Sequence, residues 1–300
     1  MRCMASLTRR DFGRTCATLG AIAAPVPVLA RLSLPGADRD AAPDSVTPAC
    51  LPFELREQFQ VVVPGSIGSI DRLKLLVDTG SIPSMIDRRI ARKLGLAVGS
   101  SETVAFGDRS RVHLVTLPSV VLGPMRAHKI LAHVGDLSFL HGIDAIIGVD
   151  VLLQSSFRID YAARAMSFGP VIARGPSLPL EVTPPFLTVN LTFAGRPFRL
   201  LVDTGSRRLM LFQRRVRDRL PVMNVDGERV IYHASGATRF HCVTLPDLNA
   251  GGFPIARIEG LLSDAPVDGY PAGIDGVLGV RALASRLAEF DFERARFGFQ

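Results

Sequence analysis

The heptapeptide Leu75-Leu76-Val77-Asp78-Thr79-Gly80-Ser81 returns 125 residues later as Leu200-Leu201-Val202-Asp203-Thr204-Gly205-Ser206, identical at all seven positions. Self-similarity at a fixed offset is the mark of a duplicated unit. Working outward, Ile143-Asp144-Ala145-Ile146-Ile147-Gly148-Val149 matches Ile274-Asp275-Gly276-Val277-Leu278-Gly279-Val280 at an offset of 131. Phe157-Arg158-Ile159-Asp160-Tyr161 matches Ala288-Glu289-Phe290-Asp291-Phe292 at the same offset, and Val115-Thr116-Leu117-Pro118 corresponds to Val243-Thr244-Leu245-Pro246. Ordered markers at nearly constant offset imply two homologous halves of about 115 residues, the drift being loop insertion.

Each half reads mainly as short strands punctuated by Gly and Pro: Phe59–Val63, Arg72–Val77, Val112–Leu122, Ile130–Val134 and a closing pair around Ile159 and Met166. The expectation is an all-β protein of two β-barrel-like lobes. Helix-like spacing is confined to Ile86–Leu94 and Leu209–Leu220, with a short helix starting near Val151–Leu153. The lobes are placed at 56–170 and 186–300. The proline-rich stretch 171–185 is read as a connector lying outside any sheet, and 31–55, with Pro35, Pro43, Pro48 and Pro52, as a linker.

The chain's 300 residues, 47% hydrophobic and 21% charged, supply enough apolar material for two cores and exclude a disordered chain. Its four cysteines exclude a disulfide-stapled miniprotein, and Cys50 and Cys242 are left as either one disulfide or two separate thiols. The six histidines show no HExxH or other compact ligand spacing, so no metal and no cofactor is expected. The net charge of +7 does not point to nucleic acid: Arg2, Arg9, Arg10 and Arg14 against Asp11 account for +3 of it, and no aromatic interleaving accompanies the arginines. Arg207-Arg208 and Arg214-Arg215 read as solvated helix faces.

Residues 1–30 resemble a twin-arginine (Tat) export signal. Thr8-Arg9-Arg10-Asp11-Phe12 precedes a small uncharged run that ends Val28-Leu29-Ala30, where cleavage is expected. Pro25 and Pro27 argue against a spanning helix, and Gly13-Arg14-Thr15 before Cys16 is no lipid-anchor motif, so no stable membrane anchor is expected. The resemblance implies a bacterial protein working in the periplasm or outside the cell.

An apolar strand ending in Asp-Thr-Gly-Ser sets a carboxylate at the tip of a tight loop in which Gly allows close backbone approach. Two copies, each followed some 65 to 70 residues later by two apolar residues and Gly, resemble the aspartic proteases. The match is specifically to bacterial retropepsin-like proteins with two protease domains fused in one chain, over about residues 56–300. The resemblance implies a pepsin-like pseudo-dimer in which Asp78 and Asp203 form a catalytic dyad hydrolysing peptide bonds. It also implies that Thr79 and Thr204 cross-bond the loops, that Gly80 and Gly205 let them pass, and that Ser81 and Ser206 donate to the outer carboxylate oxygens and favour a mildly acidic optimum.

Ile146-Ile147-Gly148 and Val277-Leu278-Gly279 match the family's segment that threads beside the catalytic loops. The turns at Phe106-Gly107 and Ser235-Gly236 fall where the family carries its flaps. The implied partner is a peptide or protein substrate, with no nucleic acid, and the chain is expected to act as a monomer. The rival reading is a non-catalytic periplasmic peptide-binding or assembly module of the same fold. Two intact carboxylate loops weigh against it, because bringing two acids together is costly without a use for them.

Overall fold

The computed structural model describes residues 50–105, 108–171, 175–183, 186–220, 225–233, 236–245, 248–255, 258–264, 267 and 270–300. The export signal, Cys3, Cys16 and most of the linker therefore lie outside the described residues. The fold is all-β, in two lobes joined by a sheet that both halves build.

In the first lobe, Gln60–Ile67 pairs with Ile70–Val77, and the remaining strands follow in the order Ala145–Ile147, Met85–Asp87, Met125–Gly135 and Asp108–Leu122. Pairing of Ser66 with Val121 and Ile67 with Val120 brings the last strand back to the first and closes a six-stranded barrel. Closure removes the free edges that such a sheet would otherwise expose. The hydrophobic pattern explains the register. Ile70–Val77 begins with exposed residues and ends with Leu75, Leu76 and Val77 all buried, because that end runs parallel to the fully buried Ala145–Ile147.

The second lobe repeats this plan. Phe186–Phe193, Arg196–Asp203, Gly276–Gly279, Leu209–Phe212, Ile258–Ser263 and Gly236–Leu245 occupy the corresponding places. The counterpart of the closing contact is made by Leu248–Ala250, which pairs Asn249 with Thr192 and Leu248 with Phe193.

A six-stranded sheet links the lobes in the order Cys50–Pro52, Ala165–Phe168, Phe157–Asp160, Leu287–Asp291, Arg296–Phe299, Ser177–Pro179. Its centre is the antiparallel pair in which Phe157 faces Phe290, with ring centroids 4.5 Å apart, and Phe290 packs on Phe297 at 5.1 Å. Asp160 and Asp291, which recur between the halves, each accept a backbone N–H in the following turn, from Ala163 and Arg294.

Four expectations are corrected. Ordered pairing begins before residue 56, since Cys50–Pro52 and Glu54–Arg56 are strands. The connector does enter sheets: Ser177–Pro179 and Glu181–Thr183 both pair, and Pro179 is tolerated because its strand lies at an edge, where no N–H is needed. The two helices are shorter than their spacing suggests. Met85–Asp87 is strand before the helix Arg88–Lys93, and Leu209–Phe212 is strand before Gln213–Val216, because each is a short buried run with a strand paired on both sides.

Fourth, only one of the arginine pairs lies on a helix, and neither is simply solvated. Arg207-Arg208 occupies the loop after the second Asp-Thr-Gly-Ser, and Arg208 pairs with Glu259 at 2.7 Å. Arg215 donates to the carbonyls of Val267, Tyr270, Pro271 and Ile274, fixing the chain that leads into the second Gly segment. Cys50 and Cys242 are free thiols.

Candidate active site

Strands Ile70–Val77 and Arg196–Asp203 deliver Asp78 and Asp203 to the junction between the lobes, where both are almost fully buried. Each strand runs parallel to its Gly segment, with Val77 opposite Ile147 and Asp203 opposite Gly279. Glycine is required there by space. A Cβ on Gly148 would lie 2.2 Å from the Ser81 carbonyl oxygen, and one on Gly279 would lie 2.6 Å from that of Ser206.

The two loops are laced together through their threonines. The Thr79 hydroxyl donates to Val202 O at 2.8 Å and accepts from Thr204 N at 3.0 Å. The Thr204 hydroxyl donates to Val77 O at 3.0 Å and accepts from Thr79 N at 3.0 Å. Every bond of this set has a partner related by the pseudo-two-fold. Buried hydroxyls and amides are thereby satisfied at the point where the lobes meet.

Each carboxylate accepts an N–H from the glycine of its own loop, Gly80 to Asp78 at 2.9 Å and Gly205 to Asp203 at 2.7 Å. Each also rests on the glycine of the opposite loop. A Cβ on Gly80 would stand 2.5 Å from Asp203 Cγ, and one on Gly205 would stand 2.4 Å from Asp78 Cγ. The two buried carboxyls are thus brought close enough to perturb each other, and Asp78 Oδ2 is left without a hydrogen-bond partner among the described residues, which like charges tolerate best when one carboxyl holds a proton.

Burial pushes Asp78 up to about 6, against the opposing pull of its contacts with Asp203 and nearby N–H groups. Asp203 is raised well above the ordinary value, first by burial and then by the negative charge of Asp78. The pair therefore titrates as a unit in two steps.

The serine hydroxyls do not act as the resemblance implies. Ser81 Oγ donates to Pro83 O at 3.2 Å and Ser206 Oγ to Arg208 O at 3.3 Å, so the serines reach the carboxylates only through backbone N–H. Without hydroxyl donors on the carboxylates, desolvation dominates and both acids shift upward. Of the flap residues, Phe106, Gly107 and Ser235 lie outside the described residues, and Gly236 opens a strand paired with His233.

Further residues join the site: Asp150 and Arg281, which the sequence places at equivalent positions after the Gly segments, and Ser84, Tyr161 and Tyr270, which it does not single out. Tyr161 and Tyr270 are buried where the Asp203 charge adds to burial in raising both phenols. Arg281 stacks 4.8 Å over Tyr161 and reaches across to Gln58 O at 3.2 Å. Its counterpart, Asp150, accepts from Ser84 Oγ at 2.7 Å, and Ser84 Oγ accepts from Gly148 N at 2.9 Å, bracing the first loop from behind. Tyr161 carried a weaker signal, as the last residue of Phe157-Arg158-Ile159-Asp160-Tyr161, which matches Ala288-Glu289-Phe290-Asp291-Phe292.

Among the described residues, no group of three or more His, Cys, Asp or Glu is placed to hold a metal ion. No helix among them is long and apolar enough to cross a membrane.

The aspartyl protease family model matches residues 63–151 and 189–282, one segment around each carboxylate loop. Among solved structures, the chain is similar to the aspartic proteinase from Irpex lacteus, with 15% identity and a TM-score of 0.47, over 83% of this chain and 96% of that one. No curated protein matches it. Matched in both halves, over more than half its length, the chain belongs to the aspartyl protease family.

Proposed function

We propose that this protein is an aspartic endopeptidase with one active site, formed by Asp78 and Asp203 of a single chain. The observation that carries this reading is the juxtaposition of two buried carboxyls, each set against the glycine of the opposite loop, with the loops locked in register by Thr79 and Thr204. Two acids forced together and desolvated hold one proton between them over a wide pH range. This split is a general property of aspartic protease dyads.

In the reaction, the ionised carboxylate takes a proton from a water molecule as that water's oxygen attacks the scissile carbonyl carbon. The protonated carboxyl gives its proton to the carbonyl oxygen as negative charge develops there. Collapse of the tetrahedral intermediate breaks the C–N bond, with the proton taken from water passed to the departing amine. The site supplies the preorganisation: backbone N–H groups fix the carboxylates, and the threonine lacing fixes the loops that carry them.

The export signal read in residues 1–30 would deliver the folded enzyme to the periplasm or beyond. Both carboxylates belong to one chain, so activity requires no second copy.

The test is digestion of a diverse peptide pool by the full chain across pH 3 to 8, with and without a statine-type transition-state analogue. The expected result is internal peptide cleavage abolished by the analogue. Peptide binding without turnover at any pH would replace the proposal with the binding-module reading.

A further inference from the structure

The pseudo-symmetry of the two loops breaks immediately after Asp-Thr-Gly-Ser. Met85 and Met210 hold equivalent places, opposite Ile146 and Val277. Counting back, the first loop carries Ile82-Pro83 where the second carries Arg207-Arg208. Ile82 is buried, whereas Arg207 is exposed and Arg208 half-buried.

The second pair opens on a cavity of about 220 Å³ lined by Arg207, Arg208, Ile255, Ile258, Glu259 and Arg281, among others. That volume suits a single side chain, well below the ~300–1,000 Å³ of pockets that enclose a whole small molecule.

The cavity's lining is tied to the Asp203 loop through the backbone. Asp203 lies opposite Gly279 in the sheet, one strand spacing of about 4.8 Å away. Gly279 N in turn donates to Arg208 O at 3.0 Å, and the helix Val280–Leu283 that follows carries Arg281. Arg207 and Arg208 thus follow Asp203 on the same loop, and Arg281 follows the Gly segment paired with it.

Its charge is unbalanced. Glu259, the one carboxylate in the lining, is already bonded to Arg208, and Arg207 and Arg229 add to the positive field that holds it below its usual range. Arg229 stands on the hairpin strand Val225–His233, so a third element turns cationic charge toward the same carboxylate. Arg281 is held in place by the Tyr161 ring and the carbonyls of Gln58 and Ser285, which fixes its charge at the cavity wall without an acidic partner among the described residues. With Arg208 and Glu259 neutralising each other, the guanidiniums of Arg207 and Arg281 remain as a receptor for an anion, and the planar fork of Arg suits a carboxylate.

We propose that the cavity formed by Arg207, Arg208 and Arg281 is a specificity subsite that receives an acidic side chain, Asp or Glu, of an extended peptide substrate. This rests on the peptidase reading above and adds to it the substrate class. The matching position on the other side of the pseudo-two-fold, at Ile82-Pro83, is apolar, so the preference is one-sided along the substrate.

The test begins with mass-spectrometric mapping of cuts in a peptide pool by the full chain. An acidic residue should be enriched at one fixed position on one side of the scissile bond. For matched peptides carrying Glu or Gln there, kcat/KM should favour Glu by about tenfold, chiefly through KM, as a charge-assisted bond provides. Arg207→Ala should reduce this ratio severalfold. Arg207→Glu, at an exposed position that leaves folding intact, should invert it, and higher salt should shrink it.

Absence of enrichment, or a ratio unchanged in both Arg207 variants and in Arg208→Gln, overturns the subsite. Fluorescence anisotropy of the same two peptides on Asp203→Asn separates the claims. Tighter binding of the Glu peptide with no cleavage by the natural chain overturns the hydrolytic reading and retains the subsite. Cleavage without discrimination does the reverse, and neither binding nor cleavage overturns both.

Discussion

Each carboxylate of the pair rests on the glycine of the opposite loop, so the distance between Asp78 and Asp203 is set by the absence of two β-carbons. Gly205→Ala would push a methyl group to 2.4 Å from Asp78 Cγ, and the loops must move apart to admit it. Kinetic comparison of this variant with the natural chain should show kcat lower by about a hundredfold or more, the scale expected when reacting groups are displaced by about 1 Å. The threonines set the second constraint. Thr204→Val keeps the shape but strands Val77 O and Thr79 N in a buried site, at a cost of about 1–3 kcal/mol for each orphaned group. Thr204→Ser keeps both bonds and should remain close to the natural stability in urea denaturation. Equal loss in the two variants would show that the lacing carries no such energy.

At the scale of elements, the joining sheet holds the lobes in register for the loops to meet. Phe290 stands at its centre, fully buried against Phe157 and Phe297. Phe290→Ala should cost about 3–5 kcal/mol in denaturant unfolding. Much of this architecture was legible in the sequence, because duplication repeats its own evidence: the identical loops and the recurring Gly segments located the site, and apolar runs located most strands. What stayed hidden had physical reasons. Met85–Asp87 and Leu209–Phe212 carry apolar residues at helical spacing, yet they are clamped between two strands, and only three-dimensional context separates a buried strand from a buried helix. The serine hydroxyls bond to carbonyls two residues ahead, a local turn that competes with any bond to the carboxylates. Arg215 and Arg281 act on backbone carbonyls distant in sequence, for which no local pattern exists.

For the whole molecule, two buried groups push stability in opposite directions with pH. Asp78 has its folded value raised to about 6 from 3.8, so the native state binds more protons than the unfolded chain between those values, and stability falls as pH rises through them. Asp78→Asn should therefore melt above the natural chain at pH 7, and the two should converge below pH 3.8. His133 works the other way: it is buried, its ring nitrogens have no hydrogen-bond partner, and burial lowers it to about 4 from 6.5. The unfolded chain then binds the extra proton, and about 3 kcal/mol is lost as pH falls from 6.5 to 4. His133→Leu should flatten that acid limb in thermal melts without moving the Asp78 effect. Activity should follow the shared proton, with a bell-shaped profile whose ascending limb is centred near pH 6, where Asp78 ionises while Asp203 keeps its proton. The most direct test of a single site built from both halves of one chain is peptide turnover by Asp78→Asn and Asp203→Asn, each alone and mixed in equal amounts. Both variants, and the mixture, should lose turnover while remaining folded. Natural turnover in either variant would show that the two carboxylates are not one catalytic unit, and recovery in the mixture would show that the halves pair between chains.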